Sequence, residues 1–595
     1  MGTTYLNLMP VSVTIWPAAV VRLAANQGRP FTAVVSYDPV NQGVTWSVSG
    51  AGCSGSTCGT LTNATATSVT YEAPSNAPAP ATVTLKATSV TDPNQSGTAA
   101  LVVMGSASQY RLQGAYAFLI QGWRASEIAG DYEGGGEMAI AGHIDIDANG
   151  NVSGIWDATV KASGGAMEPI AGNYTAESDG IGTITLRASS GTWTFMVAGT
   201  SGGDSAALWQ SPSNHPPLST IAIQSGYMLR QNTNAFSMAS VQGDRVLALT
   251  FMNIAALGRL TCGTEGNVGN GQMDFTWGGS VMRFFTTGTM TGMFTLPDPL
   301  TGRGTVALTV TPGPDSSPET FHFAYYIVSN AKMLLVQSDA NTWLIPVLRG
   351  EARRQNDAGT FTNASWNIPV IYNLNSDDAG SWWSPFATIG VIRPDGTGSL
   401  AEVSDNTEVV EDVGIVVTMR STDSGTYSVS PNGRVALSLP GIPLNLYRPH
   451  VGVAYLTGVN EGYLIREQIF GTPFGYFEPQ TVAPFGGYGL AGTYTASVAG
   501  PPRTFKPEQE IGLVNLATDG SATIFLSVDR GGGLFQLMDW AGTYTTSDDG
   551  RGVMNLTDRA DGEQKTVVFW AVSANRLLAL VSMEDADPRL VELVR

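Results

Sequence analysis

The chain has 595 residues, a formal net charge of −19 and only 13% charged residues. A surface this acidic repels phosphate backbones and anionic headgroups, so neither nucleic acid nor an anionic lipid surface is an expected partner. With 70 glycines and no long helix-period stretch rich in Ala, Glu, Lys and Leu, the composition points to an all-β protein of several domains.

The first nine residues lack a basic n-region and an apolar h-region, and no later run is long enough to cross a membrane as a helix. No transmembrane segment is expected. The modules that follow read as surface-type, so the expected location is extracellular or the cell surface, with any signal segment removed from this chain. Residues 5–106 form the first unit. Strands are legible at 11–15, 31–37, 44–48, 68–71, 81–88 and 98–104, with turn clusters between them at spacings a sandwich uses. Cys53 and Cys58 flank Ser-Gly-Ser-Thr, which permits a local disulfide, expected to form in an oxidising compartment. A Cys-x4-Cys pair with no second pair is a poor zinc site, and Cys262 reads as a small buried hydrophobe.

This unit resembles the bacterial Ig-like domains found in tandem on cell-surface proteins. The resemblance rests on Gly43-Val44-Thr45-Trp46-Ser47-Val48-Ser49-Gly50, on Gly52-Cys53 with Cys58-Gly59-Thr60-Leu61, and on Val69-Thr70-Tyr71-Glu72-Ala73-Pro74. It implies a seven-stranded sandwich with Trp46 in its core. It implies no chemistry, because such modules serve as spacers or adhesive units.

Beyond it the chain repeats itself with a period of about 120 residues, the signature of an array. Four units follow, at 110–231, 232–353, 354–480 and 481–595. They open on Gly114-Ala115-Tyr116, Asn234-Ala235-Phe236, Gly359-Thr360-Phe361 and Gly492-Thr493-Tyr494. Half a unit later a second phrase pairs Gly-x-Tyr/Phe with a Gly turn and an alternating apolar run. Its copies begin at Gly172-Asn173-Tyr174, Gly292-Met293-Phe294, Gly425-Thr426-Tyr427 and Gly542-Thr543-Tyr544. Each half has room for about four strands of ordinary length, so a unit holds about eight, enough for a small closed barrel of lipocalin-like shape. A sandwich built of two half-unit sheets is the alternative architecture. One large transmembrane barrel is disfavoured, because no lipid-facing apolar band or aromatic girdle is visible. The units also resemble tandem repeats of predicted secreted bacterial proteins.

No segment carries a strong catalytic signature. Gly199-Thr200-Ser201-Gly202-Gly203 matches the nucleophile-elbow pattern, yet it sits in a Gly/Ser loop with no helix after it. Asp145-Ile146-Asp147-Ala148-Asn149-Gly150 starts like a calcium loop but has Trp156 where a bidentate Glu is required, so it reads as a hairpin turn. His143, His215, His322 and His450 lie in separate segments with no metal-ligand spacing. No catalytic residue, metal site or cofactor is therefore expected. Trp382 and Trp383 form the best binding candidate: adjacent residues on a strand face opposite ways, so one of the pair can stand exposed in a polar loop as a sugar-stacking platform, the alternative being that the loop folds over a barrel end and buries both. The expected function is an extracellular structural or adhesive surface protein, non-catalytic, with a glycan or another surface protein as partner. A glycan- or small-ligand-binding module and an unrecognised hydrolase are the alternatives.

Overall fold

The computed structural model describes residues 10–16, 21–38, 40–50, 52–78, 82–104, 111–124, 136–160, 164–176, 181–200, 203–210, 222–251, 254–276, 285–312, 317–339, 347–376, 386–410, 415–439, 450–466, 473–481, 485–486, 489–498, 509–529, 535–558, 562–583 and 586–595. These residues are all-β, with a few single 3-10 turns and one short helix, Met238–Val241.

The N-terminal region forms two open four-stranded sheets. One has the order Ser12–Trp16, Gly28–Ser36, Ser68–Glu72, Thr60–Thr62; the other has Val21–Ala24, Ser96–Met104, Thr82–Ser89, Val44–Ser49. Alternation along each strand turns every second side chain inward, which buries Phe31, Val69, Tyr71, Val83, Leu85 and Leu101 in one core. Trp46 packs at the edge of that core rather than inside it, with Nε1 donating to the Thr65 carbonyl at 3.0 Å. Cys53 and Cys58 are joined in a disulfide.

Four closed barrels follow, each of eight antiparallel strands paired in chain order. Barrel 1 runs from Gly114–Arg124 to Ala222–Arg230 and barrel 2 from Gly243–Phe251 to Arg349–Arg354. Barrel 3 runs from Val370–Ser376 to Phe474–Pro479 and barrel 4 from Gly492–Val498 to Ala586–Val594. The first and eighth strands pair in every case, so no sheet edge is left open. The half-unit sandwich is thereby replaced by one closed sheet per unit.

The repeated half-unit phrase now has a physical cause. Its Gly lies on the fourth strand, where the fifth strand's backbone comes unusually close. A Cβ at Gly172, Gly292, Gly425 or Gly542 would lie 1.7, 2.1, 2.4 or 1.9 Å from a carbonyl oxygen of that neighbour. Two residues on, Tyr174, Phe294, Tyr427 and Tyr544 are buried, and each backbone N–H donates to a turn glycine carbonyl at 2.7–2.8 Å. The opening phrases behave differently. Phe236 and Phe361 precede the first strands of barrels 2 and 3 and pack against Gly302 and Gly433. Phe485 does the same at Gly550 of barrel 4, so its counterpart there is Phe485 and not Tyr494. These rings close the barrel ends instead of entering the wall.

The lumens are packed with side chains. Tyr116, Phe118, Ile140, Trp156 and Phe195 occupy barrel 1, and Tyr494, Val514, Trp540, Met554 and Phe569 occupy barrel 4. Barrel 3 carries charge in its interior: Glu402 accepts from Arg466 Nη1 at 2.8 Å and from the Tyr372 hydroxyl.

Candidate functional site: the seams between barrels and the cavity they enclose

Neighbouring barrels share walls, and they do so the same way each time. The second strand of one barrel packs on the seventh strand of the next: Gly136–Ile146 on Lys332–Gln337, Ile254–Cys262 on Glu461–Arg466, and Phe386–Pro394 on Arg576–Met583. Barrel 4 then meets barrel 1 through the equivalent pair, Gln509–Leu516 and Ser205–Gln210. The four barrels therefore close into a ring. The outward residues of the shared walls are apolar. Ala139 and Ala141 join the barrel 2 core cluster, Ala255 and Leu257 pack with Val453 and Ile465, and Ile389 and Val391 pack with Leu578 and Leu580.

Three seams carry one polar device. At the first, Asp157 of barrel 1 accepts from Arg303 Nε and Nη2 of barrel 2, both at 2.7 Å, and from the Tyr326 hydroxyl at 2.6 Å. At the second, Asp274 accepts from Arg434 Nε and Nη2 at 2.7 Å and from the Tyr455 hydroxyl at 2.5 Å. At the third, Asp405 accepts from Arg551 Nη2 at 2.6 Å and Nε at 2.9 Å, and from Trp570 Nε1 at 2.9 Å. All three carboxylates are buried, and the guanidinium forks match them in two-point geometry. Burial, with the Asp157 carboxylate beside it, pushes the Tyr326 hydroxyl well above its ordinary range, so it stays a donor.

A glutamine in each linker adds a second fastening. Gln231 Nε2 donates to the Ile327 carbonyl at 2.5 Å, Gln355 to those of Leu456 and Asn432 at 2.7 and 2.9 Å, and Gln480 to those of Ala571 and Asp549 at 2.9 and 2.8 Å. Among the described residues the fourth seam shows no such set. Each Arg is the first residue of its barrel's fifth strand, and barrel 1 has Ile181 there. Ser527 holds, in barrel 4, the strand position of Asp157 and Asp405.

The ring encloses a partly open cavity of about 550 Å³ lined by all four barrels. Part of its lining is an ionic network. Glu351 pairs with Lys332 at 2.8 Å and Arg353 at 2.9 Å, and also accepts from the Tyr463 hydroxyl. Burial alone would raise Glu351, but the two cations outweigh it and hold the carboxyl at about 2. Arg576 is shared by Glu478 at 2.5 Å and Glu592 at 2.6 Å. Burial first, then the nearby Glu592 carboxylate, push Glu478 up to about 7, and the opposing charge of Arg353 does not outweigh them. Arg353 and Arg576 lie over the rings of Tyr463 and Tyr476 at 5.3 and 5.1 Å.

Of the residues singled out by sequence, the described His143, His322 and Asp147 do not line this cavity. Trp382 and Trp383, Ser201 and His215 lie outside the described residues. His143 is buried and bonded to Gln231 at 2.6 Å and Asp145 at 3.1 Å, while His322 pairs with Asp339 at 2.6 Å on the surface. Asp147 accepts from the backbone of Asn149 and Asn151 at 2.8 Å and so shapes a hairpin turn. No group of three or more potential metal ligands occurs among the described residues. None of their helices is long and apolar enough to cross a membrane, a statement that does not extend to strands.

No family model matches the chain, and no curated protein matches it. Among solved structures, intact Ap-TbpB with its N and C lobes is similar at 8% identity and a TM-score of 0.14, over 69% of this chain and 79% of that one. A likeness at that level carries no argument about this protein.

Proposed function

We propose that the protein is a non-catalytic contact protein of the extracellular space or cell surface, in which an Ig-like N-terminal module carries a rigid head of four fused barrels. The observation that supports this most is the threefold Asp–Arg–aromatic seam. A buried ion pair adds little net stability over apolar packing, but it fixes geometry. Repeating one at three of the four junctions holds four barrel surfaces in a set relation, which a contact surface spread across several barrels requires. The partner is another surface protein or a glycan, with Trp382 and Trp383 as the proposed glycan platform.

Labelled full-length protein incubated with intact cells and immobilised polysaccharides tests the reading. Saturable retention is expected, and its loss in Trp382→Ala or Trp383→Ala assigns it to a glycan. Turnover of a glycan or ester that a single carboxylate or Ser substitution abolishes would refute the non-catalytic reading.

A further inference from the structure

We propose that the central cavity binds a small organic acid, its carboxylate held by Arg353 and Tyr227 and its apolar body lying on the wall of barrel 1. The chain as a whole has 49 acidic residues against 30 lysines and arginines, yet the described residues lining the cavity reverse that balance. Lys332, Arg349, Arg353 and Arg576 stand there against two carboxylates, Glu351 and Glu592. Glu478 bonds to Arg576 from outside this lining at 2.5 Å; counted as ionised, it still leaves four cations against three carboxylates. The excess sits on barrel 2. Arg349, Glu351 and Arg353 alternate along its eighth strand and so share one face, and Lys332 is paired in register with Arg353.

Two groups beside Glu351 carry donors that the protein does not use. Arg353 gives Nε to Glu351 at 2.9 Å and lies over the Tyr463 ring, while its Nη1 and Nη2 donate to no described residue. Its side chain is 34% exposed. A guanidinium held by Nε and by a ring presents its terminal nitrogens to a carboxylate with little further loss of side-chain freedom. Tyr227, half-buried on barrel 1, lies within the field of the same Glu351 and Arg353. Burial first, then the Glu351 carboxylate, raise its hydroxyl above the ordinary range, so it stays a donor, and it too bonds to no described residue. A carboxylate brings acceptors and the compensating charge together, whereas a neutral hydroxyl brings one more donor and no charge. The volume of about 550 Å³ exceeds what a bare inorganic anion fills and lies within the range of small-molecule sites. Barrel 1 supplies the apolar side. Leu119 and Ala207 pair with Tyr227 across its two neighbouring strands, and Leu229 follows on the same face.

The test is saturation-transfer NMR on the full chain with benzoate and hexanoate, with their neutral amides, benzamide and hexanamide, and with inorganic phosphate as competitor. At least one acid should show saturable transfer and bind about tenfold or more tightly than its amide, and phosphate at equal concentration should displace little of it. Arg353→Gln should weaken the acid about tenfold or more, the loss of a charged hydrogen-bond partner, and leave the amide within about threefold. Tyr227→Phe removes a hydroxyl that no described residue needs, so it should fold as the parent does and weaken the acid about threefold to tenfold. It decides the matter if Arg353→Gln does not fold. Absence of transfer from both acids, amides that bind as tightly as the acids, an acid affinity unchanged in either variant, or displacement by equimolar phosphate overturns the proposal. Cell and polysaccharide retention is read separately, so failure of this site leaves the contact-protein reading standing or falling on its own assay.

Discussion

Replacing Asp274 with Ala probes the seam device where it is most buried. The substitution removes two guanidinium bonds at 2.7 Å and the Tyr455 and Thr287 hydroxyl bonds at 2.5 Å from a carboxylate that is fully shielded from water. It leaves the Arg434 charge and the Tyr455 hydroxyl without their acceptor in a largely dry wall. Breaking a buried pair by removing one partner costs about 3–5 kcal/mol. Arg434 keeps some solvent contact, its side chain being 21% exposed, so the lower half of that range is expected. The triple replacement Asp274→Leu, Arg434→Met, Tyr455→Phe should recover most of the loss, because apolar residues of similar volume substitute well for a buried ion pair. Urea unfolding of the full chain, fitted as sequential transitions since several barrels are involved, reads both variants. A cost below about 1 kcal/mol for Asp274→Ala, the level of an exposed pair, would refute the argument that the seam is a desolvated lock. So would a triple variant no more stable than the single one.

Gln355→Ala removes donations to the Leu456 and Asn432 carbonyls and should lower stability by about 1–3 kcal/mol in the same assay. Glu351 has its folded pKa depressed to about 2 from an ordinary 4.5, so its stabilisation is present above pH 4.5 and is lost as pH falls toward 2. Glu351→Gln should therefore flatten the decline in unfolding free energy across that window. Glu478 is shifted the other way, from 4.5 to about 7, so the folded state holds its proton more tightly and this contribution is lost as pH rises from 4.5 to 7. Glu478→Gln should remove that part of the slope, and an unchanged profile would count against the burial of this carboxyl beside Glu592.

Strand content and repeat number were legible because alternation and turn glycines are local signals, whereas barrel closure followed only from the strand count, which left a half-unit sandwich open. The half-unit Gly-x-Tyr/Phe phrase marks a close backbone approach at Gly172, Gly292, Gly425 and Gly542, which the opening phrase at Gly359 does not share. Among the N-terminal strands, Val21–Ala24 and Thr60–Thr62 escaped notice, being too short to show a period. The seams were half visible. Gly302-Arg303, Gly433-Arg434 and Gly550-Arg551 recur in the repeated phrase while the first copy has Gly180-Ile181, so the Arg marks barrels that follow another barrel. The matching Asp157, Asp274 and Asp405 are isolated in sequence from their partners, and only the ring brings them together. The cavity was illegible for the same reason: its wall draws on first, seventh and eighth strands of separate units. Each of those residues reads alone as an ordinary outward-facing side chain.

The central claim is that the four barrels form one closed ring. Spin labels at Thr175→Cys in barrel 1 and Asn555→Cys in barrel 4, both exposed sites, in a Cys262→Ser background, measure it by pulsed dipolar spectroscopy. A closed ring gives one narrow distance distribution that is independent of protein concentration. A broad distribution reaching the lengths of an extended string of barrels would contradict it.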